Sequence, residues 1–78
     1  MISCPCCGFR TLHENGGLQI CPVCYWEDDG RRGVDARTYS GGPNNILTLY
    51  EARITFSELE ASDLLWIGEV RPPLENER

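Results

Sequence analysis

Five cysteines in a chain of 78 residues, set as Cys4-Pro5-Cys6-Cys7 and Cys21-Pro22-Val23-Cys24, constrain this sequence more than any other feature. Disulfides and tetrahedral metal sites both use thiols in pairs, so an odd count forces a choice. Read as two C-x-x-C pairs, Cys4 with Cys7 and Cys21 with Cys24, the motifs are thirteen residues apart and Cys6 is left over. A structural Zn²⁺ takes four tetrahedral thiolates, and two such loops supply them with little strain. The separation is a little under the commonest spacing of roughly 15–20 residues. It still suits a hairpin that brings one pair onto the other.

The intervening residues support that geometry. Phe9-Arg10-Thr11-Leu12-His13 alternates in polarity, and Leu18-Gln19-Ile20 reads as a short return strand. Between them lies Glu14-Asn15-Gly16-Gly17, and Asn-Gly is a strong two-residue hairpin signal because a type I′ turn needs positive φ twice. Knuckle, strand, turn, strand, knuckle is the order of a zinc ribbon. Proline after the first cysteine of each pair fixes φ and pre-orders the loop. Gly8 follows the first pair and is free to take positive φ. Tyr25 follows the second, where positive φ is strained, so the second knuckle is expected to leave its turn differently.

Other chemistries compete for the same thiols. Two disulfides, free buried thiols and a redox-active Cys-Pro-Val-Cys are alternatives, although the thioredoxin context requires a βαβ unit that the pattern lacks. Iron binds similar Cys-Pro-x-Cys loops, so Fe remains an alternative to the favoured Zn²⁺. Cys6 reads either as filler at the variable position of its loop or as an exchange thiol, forming a disulfide with Cys4 or Cys7 on oxidation and releasing the ion. His13, the only histidine, lies on the first strand near the turn and is expected to be exposed rather than a ligand.

A chain this short is one domain, and its core alone supplies only ~3–5 kcal/mol, so a staple is expected. No apolar run approaches membrane-spanning length, the N-terminal residues lack a signal-peptide pattern, and the odd thiol count suits a reducing cytoplasm. The formal net charge is −5 and all seven basic residues are arginine. Four thiolates on one dication make it more negative still, which repels a phosphate backbone. Only Arg31, Arg32 and Arg37 cluster, near Trp26 and Tyr39, leaving weak single-stranded nucleic-acid binding as an alternative.

Residues 25–45 carry Gly, Asp, Asn and Arg with no sustained period, and their aromatics (Tyr25, Trp26, Tyr39) argue for a pinned loop. Trp26, Glu27, Asp28 and Asp29 are a candidate docking patch for a basic partner, or the three acids a hard-cation site. The plainer reading is a solvated loop with a turn at Asp29-Gly30 and Arg31 or Arg32 as ion-pair partners. Next, Thr48-Leu49-Tyr50-Glu51 fits a capping box, opening a helix that ends near Ala61-Ser62. Its stripe of Leu49, Ala52, Phe56 and Leu59 should face the core. Residues 63–70 read as a short strand or irregular cover anchored by Trp66. Pro72-Pro73 stops regular structure, and residues 74–78 read as a frayed charged tail after a single domain at 1–73. The expected architecture is therefore a small metal-stabilised α+β domain: a zinc-ribbon hairpin with two knuckles, an ordered long loop and one helix in the C-terminal half.

The stretches CPCCG, CPVCYWEDDG, GGPNN, LYEAR and VRPP, in this order from Cys4 to about Pro73, resemble the bacterial cysteine-rich CPCC domain family. The resemblance implies zinc binding through Cys4, Cys7, Cys21 and Cys24. It also marks residues 26–30, Gly41, Gly42 and Asn44 as family-typical, which favours an ordered loop. It implies no substrate, and no nucleophile–base set is readable. The expected role is that of a non-catalytic, monomeric protein-binding module, with a Cys6 redox switch as the alternative.

Overall fold

The computed structural model describes residues 1–32, 36–37, 44 and 47–78. Tyr39, Gly41 and Gly42 lie outside the described residues. Two short strands, β1 (Ile2–Ser3) and β2 (Arg10–Leu12), pair antiparallel with Ile2 opposite Leu12 and Ser3 opposite Arg10. This ladder straddles the first cysteine pair. The expected pairing of 9–13 with 18–20 is replaced by two local ribbons, because residues 18–20 turn instead to the segment after the second pair. Ile20 bridges Glu27, Leu18 N–H donates to Asp28 O at 2.9 Å, and Asp28 N–H donates to Gln19 O at 2.9 Å. The Gln19 side chain joins the ribbons, its Oε1 accepting from His13 N–H at 2.7 Å.

Helix α1 (Leu49–Leu59) opens as expected. Thr48 Oγ1 accepts from Glu51 N–H and Glu51 Oε1 accepts from Thr48 N–H, each at 3.0 Å. It ends within a residue or two of the expected Ala61-Ser62, capped by Glu60, which takes a left-handed φ of 60° and donates its N–H to Phe56 O. The cap decides which residues are buried. Leu49 and Ala52 are fully buried and Phe56 partly so, but Leu59 is 41% exposed. Ala61 and Ser62 are buried in its place, and Ser62 N–H donates to Cys24 O at 2.7 Å, which draws the chain onto the second knuckle. Phe56 meets Phe9 edge-on with ring centroids 6.4 Å apart.

The core is small: Leu12, Val23, Trp26, Leu49 and Ala52 around the cysteines. Each fully buried large side chain stabilises by about 1.5–3 kcal/mol, too little in sum to order this many residues unaided. Residues 63–70 are irregular, with a 3-10 turn at Leu64–Trp66, but they do not cover the core as expected; Leu64 and Leu65 are about two-thirds exposed. Trp66 does act as an anchor, stacking on Tyr25 at 4.8 Å. The terminal residues are tied down rather than frayed. Arg71 makes a two-pronged ion pair with Glu77 at 2.8 and 2.9 Å, Glu77 Oε1 also accepts from Leu74 N–H, and Arg10 donates to Arg78 O. Among the described residues no helix is long and apolar enough to cross a membrane.

Candidate metal centre

Each cysteine pair is the tip of its own ribbon, and the two tips are built alike. In the first, Cys4 N–H donates to Phe9 O at 2.8 Å and Gly8 N–H to Cys4 O at 2.9 Å. In the second, Cys21 N–H donates to Trp26 O at 2.9 Å and Tyr25 N–H to Cys21 O at 2.7 Å. The same two bonds at the same offsets require the same backbone. Gly8 has φ of 82° and Tyr25 has φ of 69°. The expectation of a different exit from the second knuckle is thus overturned: the loop imposes positive φ on whichever residue follows the pair. For a residue with a Cβ that conformation costs roughly 1–2 kcal/mol.

The Sγ atoms of Cys4, Cys7, Cys21 and Cys24 all lie within 4.8 Å of one another. Cys4 and Cys24 sulfurs are 3.6 Å apart, and those of Cys7 and Cys21 3.7 Å. A tetrahedron with metal–sulfur bonds of about 2.3 Å has edges of about 3.8 Å. These separations match such edges and far exceed a disulfide bond of about 2.05 Å; all five cysteines are free. Four soft donors on one point could hold a metal ion. Cys4, Cys21 and Cys24 are nearly inaccessible, whereas Cys7 is half-buried.

Without a cation the four thiols do not ionise alike. Cys24 and then Cys4 and Cys7 pull Cys21 well below the ordinary thiol range by hydrogen bonding its sulfur. Cys21 in turn is the main cause of the rise at both Cys7 and Cys24, which keep their hydrogens. Cys4 is opposed most by Cys21 but falls because Cys24 and Cys7 outweigh it. The cluster is therefore a mix of thiols and thiolates whose remaining protons a bound dication would displace. Further donors face the sulfurs: Thr11 Oγ1 lies 3.0 Å from Cys21 Sγ, and Trp26 N–H donates to Cys24 Sγ at 3.4 Å. Spacing arguments had missed Thr11; its one signal was a hydroxyl on a strand running past the site.

Cys6 is buried in the core at 8% exposure, outside the four-sulfur group. His13 is exposed and outside that group too. Of the docking patch expected at residues 26–29, Trp26 and Asp28 are completely buried, while Glu27 and Asp29 are partly buried. Asp28 takes hydrogen bonds from Gly16 N–H at 2.7 Å and Gly30 N–H at 3.3 Å, and an ion pair from Arg32 at 2.9 Å. Burial pushes its carboxyl up, but Arg32 and the two amides outweigh this and hold it below the usual range. Asp29 pairs with Arg31 at 2.7 Å, and the Arg31 guanidinium lies 5.0 Å over the Trp26 ring. Glu27 exchanges two backbone hydrogen bonds with the Asn44 side chain, at 3.0 and 2.7 Å. The acidic trio staples the turn at 14–17 and the described parts of the long loop to the second knuckle; the ion pairs to Arg31 and Arg32 are those of the plainer reading, but the fully buried Asp28 is not part of a solvated loop.

A family model described as Cysteine-rich CPCC matches residues 2–77. The chain belongs to the cysteine-rich CPCC family. No curated protein and no solved structure matches it. The match covers both knuckles, α1 and the residues of the Arg71–Glu77 tie in this CPCC domain. The name-giving stretch is the first knuckle itself, Cys4 to Cys7.

Proposed function

We propose that this CPCC domain is a zinc-ribbon-like module, folded around one Zn²⁺ held by Cys4, Cys7, Cys21 and Cys24, and that it works as a non-catalytic protein-interaction unit. The convergence of four sulfurs at tetrahedral-edge separations carries the reading. The ion supplies cross-linking: it ties two local ribbons that share few other contacts. A site closed by four thiolates leaves no position for substrate, the arrangement of structural rather than catalytic zinc. Thiolate ligation at an otherwise free-cysteine site needs a reducing compartment, and we place the protein in the cytoplasm. Binding through the arginines is disfavoured, since Arg31 and Arg32 are committed to Asp29 and Asp28. Cys6 acts as core filler, consistent with its burial.

The test is metal analysis and native mass spectrometry of protein purified without added metal, followed by chelation under circular dichroism. One zinc per chain and loss of folded signal on chelation are expected. Stoichiometric iron would replace the ion in this reading, and a metal-free chain with an unchanged folded spectrum would remove the site altogether.

A further inference from the structure

Of the three acids at 27–29, one has no cation beside it. Asp28 is paired with Arg32 and Asp29 with Arg31. The half-buried Glu27 has no ion-pair or side-chain hydrogen-bond partner for its carboxylate among the described residues. Its backbone is nonetheless fixed on both sides. Asn44 Oδ1 accepts from Glu27 N–H at 3.0 Å, Asn44 Nδ2 donates to Glu27 O at 2.7 Å, and Glu27 bridges Ile20 across the second ribbon. Residues opposed in an antiparallel bridge project their side chains to one face, so Ile20 and Glu27 stand side by side. A cleft of about 230 Å³ opens there, with Ile20, Tyr25, Glu27, Asn44 and Trp66 among the residues lining it. Sites for whole small molecules run to roughly 300–1,000 Å³, so this one suits a single head group.

The lining selects the occupant. The Tyr25 and Trp66 rings are 4.8 Å apart and tilted by 39°, and both residues are half-buried, so their stacking does not enclose either ring. Aromatic and aliphatic walls therefore meet one carboxylate. Glu27 repels an anion, and a hard divalent cation needs about six oxygen ligands, more than this lining offers. An organic cation is attracted by the rings and the charge together. The chain itself shows which kind. Arg31 lies 5.0 Å over the Trp26 ring and pairs with Asp29 at 2.7 Å, a guanidinium held by an indole and a carboxylate. Arg37 likewise lies 4.2 Å over the Tyr50 ring. Glu27 with Tyr25 and Trp66 repeats the acid and the rings of the first of these sets. A guanidinium is planar and weakly hydrated, so it can stack on a ring while offering two N–H groups to a carboxylate. A compact ammonium holds its water more tightly, and apolar walls cannot replace that water. We infer that the cleft between the Ile20–Glu27 bridge and the Tyr25–Trp66 pair docks an arginine guanidinium of a partner protein, with Glu27 as its counter-ion. This rests on the interaction-module reading above and gives that module one specific contact.

The experiment titrates the full chain with arginine capped as N-acetyl methylamide, and with the capped citrulline and lysine counterparts. Amide and indole shifts in two-dimensional NMR give both affinity and location. Capped arginine is expected to saturate, shifting the Ile20 and Glu27 amides and the Trp66 indole N–H. Citrulline, the same shape without the charge, should bind about tenfold more weakly, and lysine roughly threefold more weakly. Glu27→Gln keeps both Asn44 bonds to the backbone, and Trp66→Leu keeps bulk without a ring. Each should weaken arginine by roughly threefold to fivefold, the range for one exposed ion pair or cation–π contact. Glu58→Gln, exposed on α1 and outside the cleft, should change nothing. Citrulline or lysine binding as well as arginine overturns the proposal, as do shifts confined elsewhere or Glu58→Gln acting like Glu27→Gln. Co²⁺ absorption on the same samples shows that each variant keeps its metal centre and fold. The capped residue brings no partner with it, so its failure to bind fails the cleft alone. If capped arginine binds while an arginine-containing peptide is excluded, the site stands and the protein-partner reading falls.

Discussion

The two cysteine knuckles share a backbone but not an environment. After the first, Gly8 adopts positive φ in open space, where an added Cβ would meet nothing within 4 Å. After the second, Tyr25 adopts the same φ at a cost of roughly 1–2 kcal/mol. The tyrosine ring is held on Trp66 at 4.8 Å, a contact worth about 0.5–1.5 kcal/mol beyond its buried area. The first knuckle is the accessible one, with Cys7 half-buried and its loop tied to α1 through Arg53 Nε donating to Pro5 O at 2.8 Å. The second lies at the centre, with Ser62 and Arg71 donating to Cys24 O and Pro22 O. Strain is tolerated where the surroundings fix the backbone, and relieved with glycine where they do not.

The sharpest break comes from the ligands. Metal binding in small zinc domains is worth ~10–16 kcal/mol, more than this core can replace. Cys21→Ser should leave the chain unfolded, since its sulfur is buried and also faces Thr11. Cys7→Ser should retain a weaker three-thiolate site, with water reaching the half-exposed position. Cobalt titration with circular dichroism separates the two, and equal loss in both variants would erase the distinction between the knuckles. A smaller effect tests the strain. Trp66→Ala should cost about 2 kcal/mol in thermal or denaturant unfolding, below a fully buried tryptophan because Trp66 is only half-buried. Tyr25→Gly should be near neutral in the native chain but stabilise the Trp66→Ala variant by about 1 kcal/mol, a double-mutant cycle that additive behaviour would contradict. Gly8→Ala should cost about 1 kcal/mol despite the open space around it.

Thr11→Val removes a hydroxyl that only the second knuckle enjoys. A loss of about 1–2 kcal/mol and a shift of the thiolate-to-cobalt charge-transfer band are expected, and an unchanged band would show that the hydroxyl does not donate to Cys21. The smallest effect concerns the C-terminal tie. The Arg71 guanidinium, then Leu74 N–H, pull the Glu77 carboxyl down to about 2 from an ordinary 4.5. A depressed carboxyl adds stability above its unfolded value, and that contribution fades as pH falls from 4.5 towards 2. Carboxyl ¹³C shifts should show Glu77 titrating near the lower value; titration near 4.5 would mean that the tie is not held in solution.

Much of this arrangement could be read from residues close together in the chain. The four clustered sulfurs, the Thr48–Glu51 capping box and the Arg31 and Arg32 ion pairs all follow from short spacings. What misled was partner choice. Asn15-Gly16 looked like a hairpin turn, yet Gly16 gives its N–H to the buried Asp28 and packs against Gly30. Strands of two or three residues carry too little periodicity to name their partners, so the 9–13 pairing was assigned to the wrong neighbour. The acidic trio looked solvated because short spacings show its arginine partners but not the Gly16 amide and the burial that close over Asp28. The C-terminal residues looked frayed because the Arg71–Glu77 and Arg10–Arg78 contacts are invisible to local pattern.

That each knuckle closes its own ribbon bears on how the ion is captured. The backbone bonds shaping Cys4 and Cys7 lie within residues 2–12, with Arg53 adding a tie to Pro5 O, and those shaping Cys21 and Cys24 lie mainly within 18–28. Each half can therefore present a ready dithiol before the other has formed. A cation entering such a site would be gripped by one clasp and then shut in by the second. The loop that must close between the clasps is only the thirteen residues from Gly8 to Ile20. Short-range ordering of this sort makes assembly fast. The slow event in the life of such a domain is then release, when both clasps must open together.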